Sequence, residues 1–250
     1  MIVLISPAKQ LRRGTVPTLD MTQPAFCREA HILAQLLAQY APFQLESLLH
    51  VNPQLAMDAF AAYQGFSQAS PLYALTSFWG LQFQHLNSQD FSREDFLFAQ
   101  EHLRILSAFY GVLRPLDAIR PHRLEFACSF FPQGKTLYQF WDSRPAQFLK
   151  GEDTLFVSLA SQEYAREVLP HLQRMGGCRV IACRFLQTKR RKLRTLATQA
   201  KMARGEMARW IIKNRLSAPE QLLDFSWNGY QFAPLLSSDD TLTFIQPGHD

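Results

Sequence analysis

The chain has 250 residues, of which 47% are hydrophobic, 12% aromatic and only 19% charged, a composition that excludes disorder and low complexity and suffices for a sizeable buried core. No stretch approaches the roughly 18 uninterrupted apolar residues of a membrane span, and residues 1–6, cut off by Pro7 and Lys9, are too short for a signal-peptide core, so a cytoplasmic protein with no membrane partner is expected. Formal net charge is +5, yet residues 179–215 hold twelve bases against the single acid Glu206, a local +11 against −6 elsewhere, and that asymmetry points to a polyanion.

Residues 1–6 read as a buried strand. Residues 26–40 carry Ile32, Leu33, Leu36 and Leu37 at helical spacing, and a further helix starts after Pro53. Residues 73–78 suit a short strand. Ser92 with Asp95 three residues on is close to a capping box and opens a helix that runs to about Ser107. Residues 153–159 and 178–186 have the composition of interior strands, with a helix over 161–169 between them that Pro170 helps to end. The charged residues 188–192 predict a hairpin turn and 192–196 its return strand. A helix over 198–215 follows, with Ala200, Ala203, Met207, Trp210 and Ile211 along one stripe. Ser217 and Glu220 box one more short helix, and strands are expected at 230–233 and 241–245. Strands and helices interleave irregularly, with no repeat and no long linker. One mixed α/β (α+β) domain over residues 1–250 is predicted, its mixed sheet flanked by helices.

Five stretches can carry chemistry. The opening strand runs into Ser6, Pro7, Ala8 and Lys9. Pro7 ends the pairing, and a lysine at the end of an interior strand can hold an anion in a cleft or act as a nucleophile; the bland alternative is a solvated loop lysine. Residues 103–125 gather Arg104, Arg114, Arg120 and Arg123 with Asp117 and Glu125. There, residues 110–113 can form a tight hairpin between two helical pieces, aiming backbone N–H groups and Arg114 at phosphate. The pattern is akin to a helix-hairpin-helix, with one glycine where two are usual. Equally, these arginines can be structural brackets held by the acids. Residues 138–142 form an aromatic cluster ending in Asp142, able to stack on unpaired bases but more often core.

Ser161, Gln162, Glu163 and Tyr164 open a helix directly after a strand, a place where polar residues line sites, although capping alone accounts for Ser161. In the basic segment Lys189, Arg190, Arg191, Lys192 and Arg194 surround the hairpin, while Lys201 and Arg204 share one flank of the next helix. Gly205 costs ~1 kcal/mol relative to Ala in a helix interior, which predicts a close backbone approach or a bend there. The bland alternative, a solvated basic face, usually mixes both signs.

His31, His50, His85, His102, His122, His171 and His249 lack metal-ligand spacing, and Cys27, Cys128, Cys178 and Cys183 show no CxxC pair. There is no Walker loop, GxGxxG or GxSxG. No metal or cofactor is therefore expected. Any enzymatic role rests on Lys9 as nucleophile or anion clamp, with Glu125, Asp142 or Glu163 as acid or base, acting on a nucleotide or damaged base.

Taken together, LISPAK (4–9), FAQEHLRILSAFYGVLRPLD (98–117), LYQFW (137–141), SQEY (161–164) and KMARGEMARWIIKNRL (201–216) resemble the YaaA family over nearly the whole chain. The resemblance implies a cytoplasmic protein of the hydrogen peroxide stress response that limits free intracellular iron and oxidative damage. It also implies a family-specific mixed α/β fold, a positively charged cleft, a helix-hairpin-helix element and DNA binding; from the +11 segment, phosphate contacts with duplex DNA and little sequence preference are expected, by a monomer. Lys9, Arg104, Arg114, Arg120, Arg123, Lys201 and Arg204 stand where the family has its basic motif residues. The sequence departs from that pattern at Phe78-Trp79-Gly80-Leu81-Gln82-Phe83, losing an acid and a tyrosine, and at Gln10 and Arg12.

Overall fold

Four consecutive apolar residues, all buried, form the first strand β1 (Ile2–Ile5); an unbroken apolar run suits a strand covered on both faces. The computed structural model describes residues 1–189 and 192–247. After β2 (Gln10–Leu11) come three helices, α1 (Cys27–Leu37), α2 (Pro42–Leu49) and α3 (Pro53–Gln64). The last begins as its sequence predicts: Pro53 takes the first position and the Asn52 side chain accepts from the Leu55 N–H at 2.9 Å. The single strand expected over 73–78 is replaced by β3 (Leu72–Tyr73), the one-turn helix α4 (Ala74–Ser77) and β4 (Phe78–Trp79), followed by α5 (Leu81–Leu86).

Helix α6 (Arg93–His102) opens on the expected box, with Ser92 Oγ accepting from the Asp95 N–H and the Asp95 carboxylate accepting from the Ser92 N–H at 2.9 Å. It stops five residues early. Residues expected to continue it form a wholly buried strand, β5 (Leu103–Ser107), because β1 offers that stretch a full ladder of hydrogen bonds. The turn after it leads into β6 (Gly111–Leu113), which pairs antiparallel with β5. Strands flank that turn on both sides, so the helix-hairpin-helix expected here is not what folds. Gly111, at φ +67°, packs against Trp141 and turns inward rather than toward solvent.

The chain continues through β7 (Ala118–Ile119), α7 (Leu137–Trp141), α8 (Arg144–Lys150), β8 (Leu155–Leu159) and α9 (Gln162–Met175). Pro170 does not end α9, which passes through it. Next are β9 (Arg179–Lys189), β10 (Lys192–Arg194), α10 (Ala197–Lys213), β11 (Gln231–Phe232) and β12 (Thr241–Gln246). A 3₁₀ turn at Pro219–Asp224 replaces the helix expected after Ser217; Gln221, not Glu220, accepts from the Ser217 and Ala218 N–H groups, both at 3.0 Å.

Eight of these strands form one mixed sheet in the order β11-β12-β9-β8-β1-β5-β6, with β10 folded back on β9, while β2 pairs with β4 and β3 with β7. Its middle is parallel, β5-β1-β8-β9-β12, and its edges are antiparallel. The predicted fold class, a single compact α/β domain around a mixed sheet, is the one observed. From β1 the chain goes first to β5 on one side and later to β8 on the other, so β1 is where the strand order reverses. Ligands of open α/β sheets bind beyond the carboxyl ends of the strands at such a point.

Helix α10 lies against α5 at unusually short range. A Cβ added to Gly205 would sit 2.2 Å from the Gln82 carbonyl oxygen and 2.9 Å from His85 Cβ. Of the two roles expected for Gly205, the structure shows the close approach.

Candidate functional site

At the carboxyl ends of β1 and β8 lies a cavity of about 450 Å³, a size in the ordinary range for small-ligand sites. Ser6 to Gln10 leave β1 along one side, Trp79 to Gln84 form a second wall, Ser161, Glu163 and Tyr164 open α9, and Lys201 and Arg204 reach in from α10. With Glu125, five stretches distant in sequence therefore meet, four of them singled out by sequence as carrying chemistry. The fifth, Trp79 to Gln84, and Gln10 lie on the cavity wall as well.

Ser6 Oγ fastens the two strand exits together, accepting from the Ser161 N–H at 2.7 Å and lying 3.2 Å from Ser161 Oγ. Beside it Lys9 Nζ is 2.5 Å from Glu125 Oε2, in a pair whose lysine is two-thirds exposed and whose carboxylate is nearly covered. Arg123 approaches the other oxygen of Glu125 at 3.6 Å. Glu163 accepts from the Ala127 N–H at 3.1 Å, and Tyr164 is buried, its phenol held far above the usual range by burial and then by the Glu163 and Glu125 charges.

Arg204 is the unusual cation. Its Nε is buried without a hydrogen-bond partner among the described residues, and burial pushes its pKa down. A buried guanidinium nitrogen without an acceptor is costly to desolvate, and Arg123 Nε is in the same state. Lys201, one turn earlier, is exposed at the same cavity.

The other arginines of residues 103–125 are built in. Arg104 is 3% exposed and gives a fork of hydrogen bonds to Glu152, Nε to Oε2 at 2.8 Å and Nη2 to Oε1 at 3.0 Å. Arg114 joins the same carboxylate at 2.5 Å. Arg120 donates to the Ala69 carbonyl at 3.2 Å and lies over Phe66. The bracket alternative holds for Arg104 and Arg114 through Glu152 and for Arg123 through Glu125, at 3.6 Å, while Arg120 is held by a backbone carbonyl and a ring rather than by an acid. Asp117 instead ties the backbone, accepting from the Arg114 N–H at 2.8 Å and from Thr22 Oγ1 at 2.7 Å.

The basic segment divides in three. Arg209 forks onto Asp90, Lys213 and Arg215 close on Asp95 at 2.7 and 2.8 Å, and Arg179 lies near Glu220, so these four serve the surface structure. Lys201 and Arg204 face the cavity. Arg184, Lys192 and Arg194 are exposed on β9 and β10. Of the hairpin tip, Lys189 is described in its backbone alone, and Arg190 and Arg191 lie outside the described residues.

The aromatic cluster is core: Trp141 is wholly buried and donates to the Ala108 carbonyl at 2.8 Å, while Tyr138 stacks on Phe126. Asp142, exposed at the end of α7, lies outside the cavity. It acts instead on Glu167, a residue unmarked by any local sequence pattern. Burial first, and the Asp142 charge second, push the Glu167 carboxyl up to about 9. Between the ordinary carboxylate pKa and that value the native state binds more protons than the unfolded one, so stability falls as pH rises through this window. Glu167→Gln is expected to remove that dependence, gaining on the order of 2 kcal/mol over wild type at pH 8 and little at pH 5. Urea midpoints at the two pH values check it, and parallel wild-type and variant curves would contradict it.

The comparisons with known proteins agree on one answer. The family model described as peroxide stress protein YaaA matches residues 1–236. This chain belongs to the YaaA family. It is 36% identical over 258 residues to a UPF0246 protein of Parabacteroides distasonis, covering 98% of this chain and 100% of the relative. It is 38% identical over 253 residues to one of Bacteroides thetaiotaomicron, at 98% of each chain, and 38% identical over 258 residues to one of Tolumonas auensis, at 99% and 98%. The family ties the chain to peroxide stress. Among the described residues, no group of three or more His, Cys, Asp or Glu is arranged to hold a metal ion, and no helix is long and apolar enough to cross a membrane.

Proposed function

We propose that this chain protects the cytoplasm against peroxide by binding DNA as a monomer, through phosphate contacts and with little sequence preference. Lys9, Lys201 and Arg204 make those contacts at the cavity, and Lys192 and Arg194, with the neighbouring cations of the hairpin, extend them. The observation that carries this reading is Arg204, a half-buried guanidinium whose Nε has no acceptor among the described residues, placed beside an exposed lysine at the cavity. In the same reading the protein takes part in limiting free iron and the oxidative damage that iron drives.

Phosphate contacts give affinity that falls linearly on a log-log scale with salt, by roughly 0.9 per contact. Reversing two of them with Lys201→Glu/Arg204→Glu is expected to weaken binding to duplex DNA about 100-fold at about 0.1 M salt and to flatten the salt slope by about two. Fluorescence anisotropy of labelled duplex across a salt series reads both quantities. Unchanged affinity in the double variant would overturn the assignment.

A second reading has its own observation. Lys9 and Glu125 are within hydrogen-bond reach at 2.5 Å, and both line the cavity, which supports an enzyme acting on a nucleotide or a damaged base with Lys9 as nucleophile or anion clamp.

A further inference from the structure

We infer that Lys9 is the amine nucleophile of a Schiff-base site for an open-chain phosphosugar aldehyde, the form that deoxyribose takes at an abasic position in DNA. The inference rests on the second, enzymatic reading of the cavity and names its substrate class.

Addition to a carbonyl is the covalent chemistry that a lysine performs with its own side chain and a neighbouring base. The cavity supplies that pair. Lys9 is the amine in contact with a carboxylate there, and Glu125 can take the proton released as nitrogen attacks and return it to the departing water. Arg123, at 3.6 Å from Glu125, fixes the carboxylate from its far side. The amino group of Met1, also suited to this chemistry, is taken up by Asp153 at 2.6 Å.

The rest of the cavity selects a phosphorylated sugar. An abasic deoxyribose carries phosphate on both sides and no base, so its recognition depends on cations close to the amine, and Lys201 and Arg204 stand in the same cavity. A volume of about 450 Å³ holds one such unit with its flanking phosphate. Oxidised DNA loses bases and leaves these aldehydes behind, which joins the site to the stress in which the family acts.

The steps balance without an oxidant, a reductant or a cofactor. Lys9 nitrogen bonds to C1′ of the aldehyde, and the resulting carbinolamine loses water to give the protonated imine. The Glu125 carboxylate, free again once its proton has left with water, takes a C2′ proton, the electron pair forms the C2′–C3′ double bond, and the C3′–oxygen bond breaks to release the 3′ phosphate. Water cleaves the imine, returning the Lys9 amine and an unsaturated aldehyde.

The test is reductive trapping with cyanoborohydride, which supplies hydride to the imine and makes the adduct permanent. Full-length protein is incubated in parallel with duplex DNA carrying one abasic position and with free deoxyribose 5-phosphate, and the modified peptide is identified by mass. A stable adduct on Lys9 is expected, absent in Lys9→Arg, which retains the charge, and formed at least about 100-fold more slowly in Glu125→Gln. No adduct with either substrate, an adduct on Lys201 or Met1, or one that survives Lys9→Arg would overturn the inference. The two substrates separate its sources: an adduct on Lys9 with the free sugar alone supports the amine site and assigns it to a soluble phosphosugar. Binding of intact duplex, measured alongside, reports on the DNA reading independently, since that reading can fail while Lys9 is still trapped.

Discussion

Glu152→Ala is expected to lower the stability of the protein by about 3–5 kcal/mol. The carboxylate, at 12% side-chain exposure, holds Arg104 by two hydrogen bonds and Arg114 by two more, and Arg104 lies inside the central sheet at 3% exposure. Remove it and a guanidinium remains in the interior with only backbone carbonyls of Leu103 and Gln100 as acceptors, an uncompensated charge rather than a lost contact. Protonation acts the same way. Burial favours the neutral acid, but the hydrogen bonds from Arg104 and Arg114 outweigh it and keep the pKa of Glu152 below its usual 4.5. A depressed native pKa contributes stability that is present above the unfolded value and is lost as pH falls through the native one. Urea unfolding at pH 7 should show the full deficit for the variant, and the gap to wild type should narrow once the pH drops below 4.5. A deficit under about 1 kcal/mol at pH 7 would mean that Arg104 finds another partner.

Gly205→Ala is expected to destabilise although alanine is the better helix former. In an open helix the change gains about 1 kcal/mol. Here the new methyl group would meet the Gln82 carbonyl oxygen at 2.2 Å and His85 Cβ at 2.9 Å, and both belong to α5, which cannot yield without moving. A net loss of about 2–3 kcal/mol follows from overpacking of this kind. Because Gln82 also walls the cavity, the variant should bind duplex DNA more weakly even where it is fully folded. Gly65→Ala is the control, since its added Cβ would meet only an ordinary 3.4 Å contact. Equal thermal midpoints for the two variants would argue against a tight α5–α10 seam.

Much of this fold was legible because the deciding information was local. An apolar tetrapeptide before proline marks β1, the stripe from Ala200 to Ile211 marks α10, and Ser92 with Asp95 marks the start of α6. What sequence could not supply was the partner across space. Leu103 to Ser107 has helix-forming neighbours on its N-terminal side, and only β1, a hundred residues upstream, makes it a strand. The bracket reading of Arg104 and Arg114 named Asp117 and Glu125 for the same reason, since their common acceptor, Glu152, follows them by 48 and 38 residues. The cavity shows both sides of this. Lys9, Glu125, Glu163, Lys201 and Arg204 were each marked by position or charge, whereas Trp79 and Gln82 became walls through packing alone.

The central place of β1 has a consequence for the making of the protein. Its two neighbours are β5 and β8, which begin at residues 103 and 155, so the first strand emerges from the ribosome roughly 5–20 s before either is made, at ordinary rates of synthesis. Throughout that interval Ile2–Ile5 is an unpaired apolar segment of the kind that holding chaperones grip. Ser6 and Ser161 join only after β8 has docked, so the cavity is among the last features to close. A chain stalled or cut before β8 therefore carries no weakened version of the site; it carries none at all.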